Sequence, residues 1–319
     1  MCIKILYRES NNYGGIPAYS RNLLRELSQL LPDVVGVKLP QLELHIGNVR
    51  IGGNISRSVF SNFVKKSKIM HSTDYLAYTK NTNIVTIHDL FALINPQSNM
   101  SFFDKKYKLK LLNKINGVRY IIVQVPQIAE QVRRYVKEVP IAVIPSKIFI
   151  GEASMNPYPS NGKIHLLTFG DIKANQFNRK KIKDIYEYVA NKKGIELYHI
   201  GSITEKSLIN YAENIHQLGV VSEPIKYNWL KYADKFVYKS LGEGQGLPVM
   251  EAMRFGVQPI INDLDEFRFL LGDRPYYFHN EDEFLEMIYK QPKTGLFEQI
   301  TKYDNWIDKY KKVYDEVMT

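Results

Sequence analysis

With 319 residues, 45% of them apolar and 24% charged, the chain is long enough to bury two domain cores and too apolar for a disordered or fibrous protein. It has no apolar run of bilayer length and no signal-peptide pattern, and its one cysteine, Cys2, excludes an internal disulfide framework, so the expected setting is a reducing cytoplasm with at most peripheral membrane contact. The formal charge of +10 lies wholly in the first half, where residues 1–150 hold 21 Lys and Arg against 9 Asp and Glu while residues 151–319 hold 22 against 24; the first half is therefore expected to meet something anionic (a phospholipid surface, a lipid phosphate or nucleic acid) unless the lysines serve solubility alone.

β-Branched apolar runs alternate with helically spaced segments, which predicts parallel α/β sheets. In the first half strands are expected at Ile3–Tyr7, Val34–Leu39, Ile69–His71, Ile84–Ile87, Tyr120–Val123 and Ile141–Ile144. Helices are expected at Ala18–Leu30, about Ser58–Lys65, Phe102–Asn116 and Gln127–Val136. Two stretches are basic and apolar together. Arg57, Lys65, Lys66 and Lys68 surround Val59, Phe60, Phe63 and Val64, and the lysines between Lys105 and Lys114 alternate with Tyr107, Leu109, Leu111 and Leu112. Each reads either as an amphipathic helix for a membrane surface or as a helix with its apolar face in a core. Pro157, Pro159, Ser160 and Gly162 mark residues 151–162 as a linker. Beyond it, strands are expected at Ile164–Phe169, Glu196–Ile200, Lys235–Tyr238 and Gln258–Ile261, with a helix over Ile182–Val189. The fold class is α/β: two Rossmann-like doubly wound domains with an interdomain cleft.

The most informative segment follows the Lys235–Tyr238 strand. It runs Glu243-Gly244-Gln245-Gly246-Leu247-Pro248-Val249-Met250-Glu251 and continues as a helix that Gly256 stops. Strand, glycine loop and helix start together are a common phosphate holder. Pro248 suits the first helical position, which makes Leu247 the N-cap, a residue with no side-chain oxygen. The amides of Val249 and Met250 would then lack a capping partner, and a bound anion could take them. Glu251 in the first turn could accept from a ribose diol. The other reading of this segment is an ordinary tight turn with two solvated glutamates.

Residues Glu243 to Ile261 resemble the donor-binding motif of retaining GT-B glycosyltransferases of the glycogen-synthase-like kind, glycosyltransferase family 4: two glutamates around G-x-G-L-P, then Glu251-Ala252-Met253 and Gly256-Val257-Gln258-Pro259-Ile260-Ile261. The resemblance extends over most of the chain. Gly14-Gly15-Ile16 is similar to the family's first glycine loop, and Val85-Thr86-Ile87-His88-Asp89-Leu90 to its V-T-I-H-D-L segment. Lys226 to Asp234 resembles the helix before the motif strand and reads as packing, with no role in chemistry. Trp306, Tyr310 and Tyr314 resemble the closing helix. The resemblance implies a GT-B fold with a Rossmann-like acceptor domain at 1–150, a nucleotide-sugar-binding domain at 151–302, and a C-terminal helix over about 303–319 that rejoins the first. It implies sugar transfer from a nucleotide-diphosphate donor, UDP- or GDP-linked, to a hydroxyl of a glycan, glycolipid or protein, with retention. Glu243 and His88 would orient the sugar. Gly14, Gly15, Arg179, Lys180, Gly244, Gln245, Gly246, Leu247 and Glu251 would bind the donor. Departing diphosphate would take the acceptor proton, and no cofactor or metal is expected.

The chain departs from the family at several points. Asp171 stands where relatives carry a diphosphate-binding arginine, and Arg179-Lys180 is displaced by a few residues. Ser146-Lys147 replaces the usual Asn-Gly at the domain junction, and Gln124 stands where serine is frequent. Asp263-Leu264-Asp265 has the D-x-D form of a metal site but falls inside the GT-B segment, so a cap or loop role is expected. Two other classes stay open: a binding protein on a weakened GT-B fold, motivated by Asp171, and a nucleic-acid-modifying transferase, motivated by the basic half.

Overall fold

The computed structural model describes residues 3–8, 15–31, 33–39, 66–95, 102–174 and 178–319, together with the backbone of 44–46 and 49–51. Gly14 and the predicted Ser58–Lys65 helix lie outside the described residues. The chain divides into two compact units. The first comprises Met1–Asn95, Met100–Ser146 and Asn305–Thr319; the second comprises Pro96–Asn99 and Lys147–Asp304.

In chain order the first unit holds β1 (Ile3–Arg8), α1 (Gly15–Leu30), β2 (Val34–Leu39), β3 (Leu44–Ile46), β4 (Val49–Ile51), β5 (Ile69–Ser72), β6 (Ile84–Thr86), α2 (Phe91–Ile94), α3 (Phe102–Ile115), β7 (Tyr120–Val123), α4 (Pro126–Arg133) and β8 (Ile141–Val143). Six strands form one sheet in the order β2-β1-β5-β6-β7-β8, and every pairing is parallel. β3 and β4 make a separate antiparallel pair that periodicity did not predict. α1 buries Tyr19, Leu23 and Leu27, one stripe at four-residue spacing.

The second unit holds β9 (Ile164–Phe169), α5 (Ile182–Val189), β10 (Ile195–Ile200), β11 (Ile215–Gly219), α6 (Glu223–Lys231), β12 (Lys235–Tyr238), α7 (Leu247–Arg254), β13 (Gln258–Asn262), α8 (Asp265–Leu271), β14 (Tyr276–Phe278), α9 (Glu281–Ile288) and α10 (Leu296–Thr301). Its sheet is also all parallel, in the order β11-β10-β9-β12-β13-β14. Leu166, Ile185, Tyr186, Leu197, Val237, Ile260 and Phe284 fill the core between sheet and helices. Strand order reverses between β9 and β12. Loops leaving those two strands diverge there, where open α/β sheets hold ligands. The last helix, α11 (Trp306–Met318), belongs to the first unit and buries Trp306, Tyr310, Val313, Tyr314 and Val317.

Candidate functional site

The segment Arg179–Lys181 runs antiparallel to the end of β12. Lys180 bridges Ser240, Lys181 N donates to Lys239 O at 2.8 Å, and Leu241 N donates to Arg179 O at 3.2 Å. Asn262, at the end of β13, clamps Ser240 from the other side: its Oδ1 accepts from Ser240 N and its Nδ2 donates to Ser240 O, both at 2.8 Å. This backbone pairing brings Arg179 and Lys180 beside Glu243. The Glu243 side chain is 7% exposed and held at both oxygens. Oε1 accepts from the Tyr238 hydroxyl and from Ser240 Oγ at 2.8 Å each, and Oε2 faces Arg179 Nη2 at 3.5 Å. Lys180 Nζ lies 5.3 Å from the Tyr238 ring centroid. Burial lowers the Lys180 pKa, against the pull of Glu243 and Asp171.

The helix start differs from expectation by one residue. Gly246, not Leu247, is the N-cap of α7, and Pro248 is the second helical residue. Gly246 has φ +67°, and a Cβ there would lie 2.3 Å from Phe267 Cε1, so glycine is required twice over. The amides of Val249 and Met250 are not left over either: both donate to Gly246 O, at 3.0 and 3.3 Å. A helix entered through a left-handed glycine turns its cap carbonyl onto those donors, which the side-chain capping argument overlooked. Gln245 points inward, with Nε2 3.4 Å from Met250 Sδ. Gln245 as a whole is buried, and Gly244 before it is partly exposed.

Glu251 meets a partner that motif reading dismissed. Lys226 of α6 donates to both of its oxygens, at 3.1 and 3.0 Å. Burial raises the Glu251 pKa, and Lys226 opposes that shift. α6, expected to pack and to take no part in chemistry, thus also supplies the ion-pair partner of Glu251. Asp171 also has a plain role: Oδ1 accepts from Ser202 N at 2.9 Å, which ties the loop after β9 to the loop after β10. Burial works against this carboxylate, but the Ser202 bonds with Lys173 and Lys180 hold its pKa below the usual range. Behind it, His199 is fully buried between the Tyr186 hydroxyl at 2.7 Å and Gly170 O at 2.6 Å, and burial lowers its pKa to about 4. Asp263 is gripped by Arg268 through two bonds of 2.8 Å.

His88 and Gly15 sit in the first unit. Gly15 opens α1. His88 follows β6, its Nε2 at 2.8 Å from Thr73 O and its ring edge-on to Tyr19 at 4.6 Å. The carbonyl requires Nε2 to be protonated, which makes Nδ1 the acceptor. Burial lowers the His88 pKa, so the ring is neutral near pH 7. It lines a cavity of about 120 Å³ with Arg8, Asp74, Tyr75, Asp89 and Lys108. Arg8 pairs with Asp74 across this space. Sequence reasoning missed the polar network behind it. His71 bonds Tyr314 through Nδ1 and Thr86 through Nε2, both at 2.8 Å, and Tyr19 bonds Thr86 at 3.0 Å and also Tyr310. The available signal was polar residues within short, fully buried strands, His71 in β5 and Thr86 in β6.

Residues 163–290 match the family described as Glycosyl transferases group 1. That match takes in the second unit's sheet and spans less than half of the chain. No curated protein matches the chain in sequence. Solved structures show the fold. Sucrose-phosphate synthase from Thermosynechococcus elongatus superposes with a TM-score of 0.74 over 99% of each chain at 15% identity. WaaG, a glycosyltransferase involved in lipopolysaccharide biosynthesis, gives 0.70 over 99% of each chain at 12% identity. HepE from Anabaena, in complex with UDP and glucose, gives 0.67 over 99% of each chain at 10% identity. The chain thus has the GT-B fold that the resemblance implied; its strand patterning had predicted the two parallel-sheet α/β domains. Two charge clusters stand out in the second unit: Arg179 and Lys180 beside Glu243 after β12, and Lys226 of α6 with Glu251 of α7.

Proposed function

We infer that this glycosyltransferase moves a sugar from a nucleotide-diphosphate donor to an acceptor hydroxyl, with retention of configuration. The observation that carries the reading is the fixed Glu243 carboxylate, bonded by Tyr238 and Ser240, with Arg179 and Lys180 beside it. A sugar-orienting acid and two cations for a leaving diphosphate are what such a transfer needs. Arg179, Lys180 and the loop amides of Gly244 and Gly246 are assigned to the diphosphate. Glu251 takes the ribose diol, positioned by Lys226. His88 is a sugar-binding group that accepts through Nδ1, and Gly15, at the start of α1, is carried over with Gly14 as a donor-binding glycine. In same-face attack the acceptor O–H bond breaks as the glycosidic C–O bond forms, and the departing diphosphate oxygen takes the proton. That route asks for no protein nucleophile. Neutralisation by Arg179 and Lys180 does the work a metal does elsewhere, and Asp263 is already committed to Arg268. UDP is the first donor base to test, because HepE is described with UDP and glucose.

A thermal-shift screen with UDP-, GDP- and ADP-sugars tests the reading, since a ligand bound only by the folded form raises its melting point. One nucleotide class should shift the parent and not Glu251→Ala. Equal shifts for parent and variant would remove the site assignment.

A further inference from the structure

The helix α3 changes character along its length. Leu111, Leu112 and Ile115 are buried, and the helix rests on the turn Tyr75–Ala77. Its first turns are different. Phe102 and Phe103 are 74% and 81% exposed, the two most exposed large apolar side chains among the described residues. Their rings meet edge to face with centroids 6.0 Å apart. Lys105, Lys106, Lys110 and Lys114 are exposed on the same helix, against one exposed acid, Asp104. Scattered apolar residues on a surface need no explanation, but two adjacent phenylalanines beside four lysines are the composition of an interfacial anchor. With 14 residues the helix is too short to cross a bilayer, so it would lie on one. Lys108 of the same helix lines the His88 cavity, about 8 Å along the axis from Phe103.

We propose that the exposed start of α3, with Phe102 and Phe103 as wedge and Lys105, Lys106 and Lys110 as the charged flank, docks this chain on an anionic lipid surface. The rings enter the boundary between headgroups and acyl chains, where their apolar area leaves water. The lysines sit at phosphate depth and supply the charge complementarity that selects anionic lipid over neutral. An acceptor carried in that surface then meets the His88 cavity one to two helical turns from the anchor, which places a lipid-linked molecule ahead of a free glycan. Docking itself does not depend on the sugar-transfer reading.

The full chain is sedimented with vesicles of phosphatidylcholine alone and of phosphatidylcholine mixed with phosphatidylglycerol. Partition onto the mixed vesicles should be about tenfold or more stronger, and it should weaken as salt is raised. Phe102→Ser with Phe103→Ser should lower it about tenfold at every salt concentration, because apolar burial is not screened. Lys105→Glu with Lys106→Glu should lower it and flatten the salt dependence. Both pairs are exposed, so circular dichroism should be that of the parent, and so should donor hydrolysis in solution. Loss of donor hydrolysis in the parent itself would sink the transfer reading and leave vesicle binding standing. Equal binding to both vesicle types, or a double serine variant that binds like the parent, overturns the proposal. So does a preference for duplex DNA that the double serine variant retains.

Discussion

Burial works against the charge on Glu251, and the paired Lys226 opposes that effect. Their side chains are 15% and 20% exposed. Removing one partner of a mostly buried pair strands the other, at a cost of about 3 kcal/mol. Lys226→Met is therefore expected to lower the denaturant midpoint and to weaken nucleotide binding together, a combination that a purely packing role for α6 would not give. Burial raises the Glu251 pKa, so on acidification this carboxylate protonates before an ordinary glutamate does. A protonated carboxyl loses one of its two acceptor sites for a ribose diol. Calorimetric affinity for the donor nucleotide should therefore begin to fall above the usual glutamate range, and Glu251→Gln should bind more weakly at neutral pH with a flat profile. Glu243→Ala should act mainly on kcat, by one to two orders of magnitude, if its bonds orient the sugar during transfer. The two glutamates were legible because both belong to one contiguous segment. Lys226 was not, because it reaches Glu251 from 25 residues upstream and sits in a segment that reads as a packed helix.

At the scale of elements, the loop between β12 and α7 shows what periodicity can and cannot deliver. Largely buried strands such as β7 and β12 announce themselves as short apolar runs, and the parallel α/β class follows from their alternation with helices. The short edge strand β14 and the mixed strand β11 carry too little pattern to be found. The helix start was misjudged for a different reason. A proline at the first position is a statistical preference, whereas the left-handed φ of Gly246 and the Phe267 ring against it are tertiary facts. Arg179 and Lys180 owe their place to pairing with residues 239–241, some 60 positions away, which no local signal encodes. Gly246→Ala tests the element directly. The left-handed conformation costs about 1–2 kcal/mol for a residue with a Cβ, and overpacking against a buried ring adds about 1–3 kcal/mol. Urea unfolding should show a loss of roughly 2–5 kcal/mol, and nucleotide binding should weaken with it because the loop that presents Gly244 must shift. A variant as stable as the parent would mean that the loop does not adopt this turn.

For the molecule as a whole, acid is the condition that both units share as a weakness. His71 in the first unit and His199 in the second are each fully buried and neutral. Burial, with the nearby His88, lowers the His71 pKa to about 3, and burial lowers that of His199 to about 4. Unfolding returns each ring to water, where it protonates near pH 6.5. Between the unfolded and folded values the unfolded chain therefore binds one more proton per histidine than the folded chain does. The stability these rings contribute is complete above about pH 6.5 and is lost as pH falls toward the folded values, by about 1.4 kcal/mol per pH unit for each. At pH 5 the cost is about 2 kcal/mol for each. His71 is the sharper test, because it joins β5 to Tyr314 of α11 and to Thr86 of β6, so its protonation strikes the contact that holds the chain's last helix to the first sheet. His71→Gln should be less stable than the parent at pH 7.5, since the buried Tyr314 and Thr86 hydroxyls each lose a hydrogen bond to the ring. Its stability should nevertheless fall less steeply between pH 6.5 and pH 4.5, by about one proton's worth of slope. Chemical denaturation of parent and variant across that range reads the slope, and parallel curves would mean that His71 is not the neutral buried ring on which this argument stands.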